Sequence, residues 1–241
     1  MKKNILLTGA SRGLGLSITE KLLSSGHSVF ALNRSVTDEL NALGSDFPGQ
    51  LTILPFDLEA SAEISSFFKE HIGFDIPLHG FINNAAMAYD DIITNMNLSE
   101  LEKMFRVNVF TPMLLTKLVI RHMLLHRVEG SIVHISSISV HTGYKGLSMY
   151  ASTKGALEAF SKNTAREWGE RGIRSNCVVA GFMETSMSGS LSPEQKQRIY
   201  ARTSLKKQVS LNSVAETVSF LISEKAASVT GQNIFVDNGT I

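Results

Sequence analysis

The chain has a single cysteine, Cys177, among 241 residues. One thiol excludes an internal disulfide and gives no sign of an oxidising compartment. Excess charge is missing too: 23 Lys and Arg stand against 22 Asp and Glu, a formal net charge of +1. No global field exists to gather nucleic acid or anionic lipid, so neither is expected as a partner. No apolar run approaches the roughly 18 residues of a membrane span. The short run after Met1-Lys2-Lys3-Asn4 is too brief for a signal-peptide core, so the cytoplasm is the expected location. Metal ligands are sparse as well. His122 and His126 have ligand spacing, but no Glu follows His122 and no third ligand is evident, so no metal is expected.

What is present is a core-forming α/β pattern. Hydrophobic residues make up 43% of the chain and charged residues 19%, enough for one sizeable core. Short apolar runs at Ile5–Thr8, Ser28–Leu32, Leu51–Phe56, Gly80–Ile82, Ser131–Ser136, Arg174–Val179 and Asn233–Val236 read as strands. Most lack period-two alternation, as strands covered on both faces do. Helical patterns fall near 13–25, 35–44, 60–72, 99–126, 149–171 and 211–223. Strand and helix in turn predict a single-domain, Rossmann-type doubly wound parallel sheet of about seven strands flanked by helices. The 99–126 pattern is apolar on too many sides for one solvent-facing stripe. It is either wedged between neighbours or buried against another subunit.

After the first strand comes Thr8-Gly9-Ala10-Ser11-Arg12-Gly13-Leu14-Gly15, opening the first helix. Glycine allows a sharp turn and close approach of a pyrophosphate, while the helix N-terminus supplies amides and positive dipole. This Thr-Gly-x3-Gly-x-Gly segment resembles the cofactor motif of the short-chain dehydrogenase/reductase family. The resemblance runs the length of the chain and is greatest to bacterial 3-oxoacyl-[acyl-carrier-protein] reductases. It implies that Gly9, Ser11, Arg12, Gly13, Leu14 and Gly15 hold a nicotinamide dinucleotide. The second strand ends Leu32-Asn33-Arg34-Ser35, without the acid that bonds a ribose 2′-hydroxyl in NAD sites. Arg12 and Arg34 together suit a 2′-phosphate, so NADP(H) is the expected cofactor; two solvated arginines are the plainer alternative. The resemblance also assigns the adenine contact to Asp57 and Leu58, and further cofactor contacts to Asn33, Asn84 and Ala85. Ala86 departs from the family's glycine.

Tyr150 and Lys154 lie four apart, on one face of a helix. A cation beside a phenol favours phenolate and is expected to lower its pKa from near 10. By the resemblance, Ser137 is the catalytic serine, with Ser136 as the alternative, and Asn108 completes the catalytic set. In relatives, helix distortion at that asparagine leaves its carbonyl holding a water in a proton relay. Lys154 would also bond the nicotinamide ribose, beside Tyr150. Ala180-Gly181-Phe182-Met183-Glu184-Thr185 resembles Pro-Gly-x3-Thr, placing Gly181, Met183 and Thr185 at the nicotinamide amide. The polar stretch 186–204 reads as a substrate lid.

The implied reaction is reduction of a ketone to a secondary alcohol, with 3-oxoacyl-[acyl-carrier-protein] the leading substrate. Ala86, Ala180 and Asn238 depart from the common pattern and favour a ketoreductase for another metabolite, such as a polyketide intermediate or a sugar. A non-catalytic dinucleotide-binding regulator is a third reading, opposed by the intact Ser137, Tyr150 and Lys154. The family further implies a homotetramer. It also implies acyl carrier protein docking through Arg127 and Arg171, expected near the mouth of the site.

Overall fold

The computed structural model describes residues 2–73, 75–185 and 192–241. Seven strands form one sheet: β1 (Asn4–Thr8), β2 (Ser28–Asn33), β3 (Leu51–Pro55), β4 (Gly80–Asn83), β5 (Ser131–Ser137), β6 (Arg174–Ala180) and β7 (Asn233–Val236). Every pairing is parallel, in the order β3-β2-β1-β4-β5-β6-β7. The chain winds outward from β1 one way and from β4 the other. The crevice between their carboxyl ends is therefore the topological switch point, where ligands bind in such sheets. Central strands are buried on both faces, whereas edge strand β7 alternates, which is why periodicity alone could not separate faces.

Alternation within each strand builds two apolar layers. Ile5, Leu7, Ala31, Ile82, Val133, Ile135 and Val178 pack with α1 (Gly13–Ser24), α2 (Asp38–Asp46) and α9 (Leu211–Ile222). Leu6, Phe30, Phe81 and Ile132 pack on the other side with α3 (Ile64–His71) and α5 (Thr111–His126). Each fully buried Leu or Ile contributes about 1.5–3 kcal/mol relative to an exposed one.

Three expected helices differ in form. The 60–72 pattern divides into a 3-10 turn, Ser61–Glu63, and α3. The 149–171 pattern is α7 (Ser148–Trp168) followed by a 3-10 turn, Gly169–Arg171. The 99–126 pattern is not one helix. It consists of α4 (Leu98–Phe105), capped by the Asn97 side chain, a π-helical turn Arg106–Phe110, and α5. Pro112 explains the break, because it has no N–H to return to the carbonyl of Asn108 four residues earlier. Met104, Val109, Val119 and Met123 are buried within the chain, while Phe110 is 52% and Leu125 61% exposed.

Two helices were not foreseen. α6 (Ser139–Thr142) is a single turn beyond β5, and α8 (Pro193–Arg202) occupies part of the stretch read as a lid. A capping box starts α8: Ser192 accepts from the Gln195 amide and the Gln195 side chain answers. Residues 186–191 of that stretch lie outside the described residues.

Candidate active site

The glycine loop leaves β1 at the switch point and is tightly braced. The Asn84 side chain donates to the carbonyls of Thr8 (3.1 Å) and Gly9 (3.0 Å), while Thr8 Oγ1 accepts from the Asn84 and Ala85 amides. Asn33 Oδ1 accepts from the Ala10 amide at 2.6 Å, and Thr37, which caps α2, donates to the Ser11 carbonyl at 2.7 Å. Asn33 and Asn84 thus spend their side chains on the loop itself. A Cβ at Gly15 would lie 1.8 Å from the Gly9 carbonyl oxygen, so only glycine lets α1 approach the turn. Gly13 needs its left-handed φ of +56° and adjoins Thr185. Leu14 is buried beneath the loop and Ser11 within it.

Arg12 is the N-cap of α1 but makes no side-chain cap bond, and the first turn holds no acid. Its amides and dipole are left for an anion. Arg12 and Arg34 are both exposed at the carboxyl ends of adjacent strands β1 and β2. This cradle fits a nicotinamide dinucleotide. Just beyond β3, Leu58 is buried and exposed Asp57 accepts from the Glu59 amide through Oδ1. On the far side, Gly181 is packed so closely on Asp237 that a Cβ would meet its Cα at 2.7 Å. Met183 and Thr185 follow it, partly buried. Asn238 takes a left-handed φ of +58° and donates to the Lys207 and Gln208 carbonyls. The departure from glycine there uses the residue type that best tolerates this backbone.

The four catalytic candidates sit on three elements that are pinned together. Lys154 Nζ, buried, donates to the Ile135 carbonyl at 2.8 Å, fixing α7 to β5 two residues before Ser137. Asn108, in the π turn, donates to Met87 O (2.9 Å) and Thr153 Oγ1 (3.0 Å) and accepts from the Met87 amide (2.9 Å). Its side chain therefore ties the β4 loop to α7, while the π turn breaks the regular bonding of its carbonyl. Ser137 Oγ, at the carboxyl end of β5, accepts from the Ser139 amide at 3.2 Å. Ser136 points elsewhere and donates to Glu158. Thr153 and Asp90 were missed. The first shows no local signal, but Pro112 four residues after Asn108 does flag the helix break.

The expected lowering of the Tyr150 pKa is not what this arrangement gives. Burial first, and the Asp90 carboxylate second, push the phenol above its ordinary value. Lys154 Nζ lies 5.7 Å from the centroid of the Tyr150 ring and is engaged with a carbonyl. Burial pulls Lys154 itself down to about 8. Beneath the site, burial and then Lys154 hold His134 down at about 3, a neutral ring bonded to Asn83.

Arg127 and Arg171 need a correction. Arg127 caps the end of α5 and precedes β5, and Arg171 precedes β6. Both stand at the amino ends of strands whose carboxyl ends carry Ser137 and Gly181. Seven residues of β5 at about 3.3 Å each put about 20 Å between the two ends. Within one chain they do not flank the mouth. Among the described residues no group of three or more His, Cys, Asp or Glu is placed so that it could hold a metal ion. The Nδ1 of His122 accepts from the Leu78 amide. No described helix is long and apolar enough to cross a membrane.

A parallel sheet with a braced glycine turn at its switch point defines a Rossmann-type dinucleotide-binding protein. The family model described as enoyl-(acyl carrier protein) reductase matches residues 9–240, and the chain belongs to the short-chain dehydrogenase/reductase family of NAD(P)-dependent oxidoreductases. It is 31% identical to L-xylulose reductase of Caenorhabditis elegans, over 98% of this chain and 95% of that protein. It is 33% identical to the 3-oxoacyl-[acyl-carrier-protein] reductase FabG of Aquifex aeolicus (strain VF5), over 97% and 95%. A solved 4-hydroxyisoleucine dehydrogenase, complexed with NADH, shares the fold with a TM-score of 0.92 at 24% identity, covering 99% of this chain and 98% of that one.

Proposed function

We propose that this chain reduces a ketone to a secondary alcohol with NADPH, and that a 3-oxoacyl group is its leading substrate. The observation that carries the reading is the Lys154–Ile135 bond, which sets the Tyr150 helix against the end of β5 beside Ser137. When bound, the reduced dinucleotide supplies hydride. The Ser137 hydroxyl donates to the carbonyl oxygen and stabilises the charge that grows there. Tyr150 gives that oxygen its proton, and a phenol that burial keeps protonated is in the right form for a reduction. Lys154 holds the ribose side of the cofactor and returns a proton toward Tyr150, with Asn108 keeping the π turn open for the water that feeds it. Arg12 and Arg34 select the 2′-phosphate.

Reduction of another metabolite is supported by the similar identity to a sugar reductase and by Ala86 and Ala180. NADPH oxidation measured over a panel of 3-oxoacyl thioesters, sugars and simple ketones separates the two. Turnover confined to thioesters supports the first, turnover confined to sugars the second, and none at all rejects both.

We also propose single-domain subunits in the cytoplasm that assemble as the homotetramer the family resemblance implies; the exposed Phe110 and Leu125 of the 99–126 segment leave apolar surface that another copy could cover. Assembly also matters for carrier docking, since Arg127 and Arg171 reach a site mouth only if a neighbouring copy presents them. The described part of the lid, α8, is latched to the nicotinamide loop: Tyr200 donates to Glu184, and Lys196 pairs with it at 3.6 Å.

A further inference from the structure

Glu158 has no part in the chemistry above, yet it is buried and accepts from three elements at once. It lies on α7, four residues beyond Lys154 and eight beyond Tyr150, along the same stripe of the helix. Ser136 of β5 donates through Oγ to its Oε1 at 2.5 Å. His141 of α6 places Nε2 3.0 Å from Oε2, and Asn233 of β7 donates through Nδ2 to Oε2 at 2.6 Å. The His141 ring is also braced, edge to face, on Phe235 of β7 at 4.9 Å between centroids.

The position of these donors gives the cluster its meaning. Ser136 immediately precedes Ser137 and His141 follows it by four residues, so one carboxylate holds both flanks of the serine. The helix that carries this carboxylate also carries Tyr150. Ser161–Ser175 and Cys177–Leu157 tie α7 to β6, and Asn108–Thr153 ties it to the π turn, but to β5 itself the Lys154–Ile135 bond is one attachment. Four residues along, about 6 Å at 1.5 Å per residue, Glu158 supplies a second point on the same strand. Two points fix both the axial register and the angle of α7 against the end of β5.

We infer that Glu158 is a positioning residue, clamping Ser137 in register with Tyr150 through Ser136 and His141. The inference rests on the proposed ketone reduction, in which both hydroxyls must reach one carbonyl oxygen. A misplacement near 1 Å costs up to about a hundredfold in rate.

The test uses the full chain with NADPH and the ketone it turns over best. Glu158→Gln keeps the shape but offers one acceptor oxygen in place of two, and Ser136→Ala cuts the strand arm alone. Each is expected to lower kcat about tenfold while leaving KM and the NADPH dissociation constant within about twofold. The double variant is expected to be no slower than the slower single one. Unchanged kcat, an equal loss of cofactor affinity, or additive losses would overturn the clamp. A second arm needs no turnover: in a crystal structure of Glu158→Gln with NADPH, Ser137 Oγ should shift relative to the Tyr150 hydroxyl. An unmoved pair overturns the clamp. A parent chain that reduces no ketone overturns the functional reading instead, and the crystallographic arm still decides the clamp.

Discussion

The two ends of the sheet are built from opposite kinds of residue. At the carboxyl end stand close-packed glycines, a broken helix, two arginines with no acid paired to them among the described residues, and Ser137 on β5 facing Tyr150 and Lys154 on α7. At the amino end stand histidines used as backbone acceptors. His27 Nδ1 accepts from the Lys3 amide (3.3 Å), His79 Nδ1 from Asn4 (3.1 Å) and His122 Nδ1 from Leu78 (3.4 Å). These rings must be neutral at Nδ1 to accept, and burial lowers the pKa of all three. One end leaves polar groups to meet ligands, while the other uses them to close the backbone of its own strands. Function and stability should therefore respond to different substitutions and in different pH ranges.

The largest expected effect is at the carboxyl end. Tyr150→Phe removes the acid and little else, so turnover should fall about 10²–10⁴-fold, with NADPH binding by fluorescence titration nearly unchanged. Arg34→Asp comes next. Losing one charge-assisted phosphate contact costs about 1.5–3 kcal/mol, so the NADPH dissociation constant should rise roughly ten- to a hundredfold while that for NADH falls. A parent chain that already prefers NADH breaks this part of the comparison.

The amino end should answer to acid rather than to cofactor. His27, His79 and His122 have pKa values lowered below 6.5, first by burial, then by Lys3 for the first two and His126 for the third. Below about pH 6.5 the unfolded chain takes up protons that the folded chain refuses, so their contribution is lost as pH falls. Glu224 pairs with Lys3 at 2.6 Å and moderates that cation. Calorimetry from about pH 7.5 to about pH 5 should show a falling Tm, about 2–4 °C for each kcal/mol, with a shallower slope in His79→Asn. A flat Tm would remove the histidines from the account. The smallest effect is expected from reversing Arg127 and Arg171 to Glu: kcat/KM for a small thioester should stay within about twofold, as both lie at the far end. A loss of about tenfold or more confined to a carrier-linked substrate, with the small thioester unaffected, would show that another copy brings them to the mouth.

The division between the ends was legible where the signals are local. Thr8–Gly15, the Tyr150–Lys154 spacing and the apolar runs all lie within single segments, and the strands fall within a residue or two of the expected bounds. What was not legible depends on distant partners. Asn108 is set by Met87 and Thr153, 21 and 45 residues away, and Glu158 by Ser136 and Asn233, 22 and 75 away. Two misses had signals on the page. Ser192-Pro193-Glu194-Gln195 spells a helix start inside the supposed lid, and residues just before a parallel strand, such as Arg127 and Arg171, must lie opposite a site at its carboxyl end. The phenol's direction is not legible in the spacing, because a cation in sequence register need not stand at the hydroxyl, and burial and Asp90 set the direction instead.

The central claim, that the carboxyl end of this sheet delivers hydride and proton to one ketone, is tested most directly by isotope transfer. Parent enzyme is incubated with NADPH deuterated at the transferring nicotinamide position and a 3-oxoacyl thioester, and the product is analysed by mass spectrometry and NMR. The account predicts one deuterium on the new carbinol carbon, none elsewhere, and product formation slowed about 10²–10⁴-fold with Tyr150→Phe. Deuterium absent from that carbon, or product formed equally well without the Tyr150 hydroxyl, would contradict it.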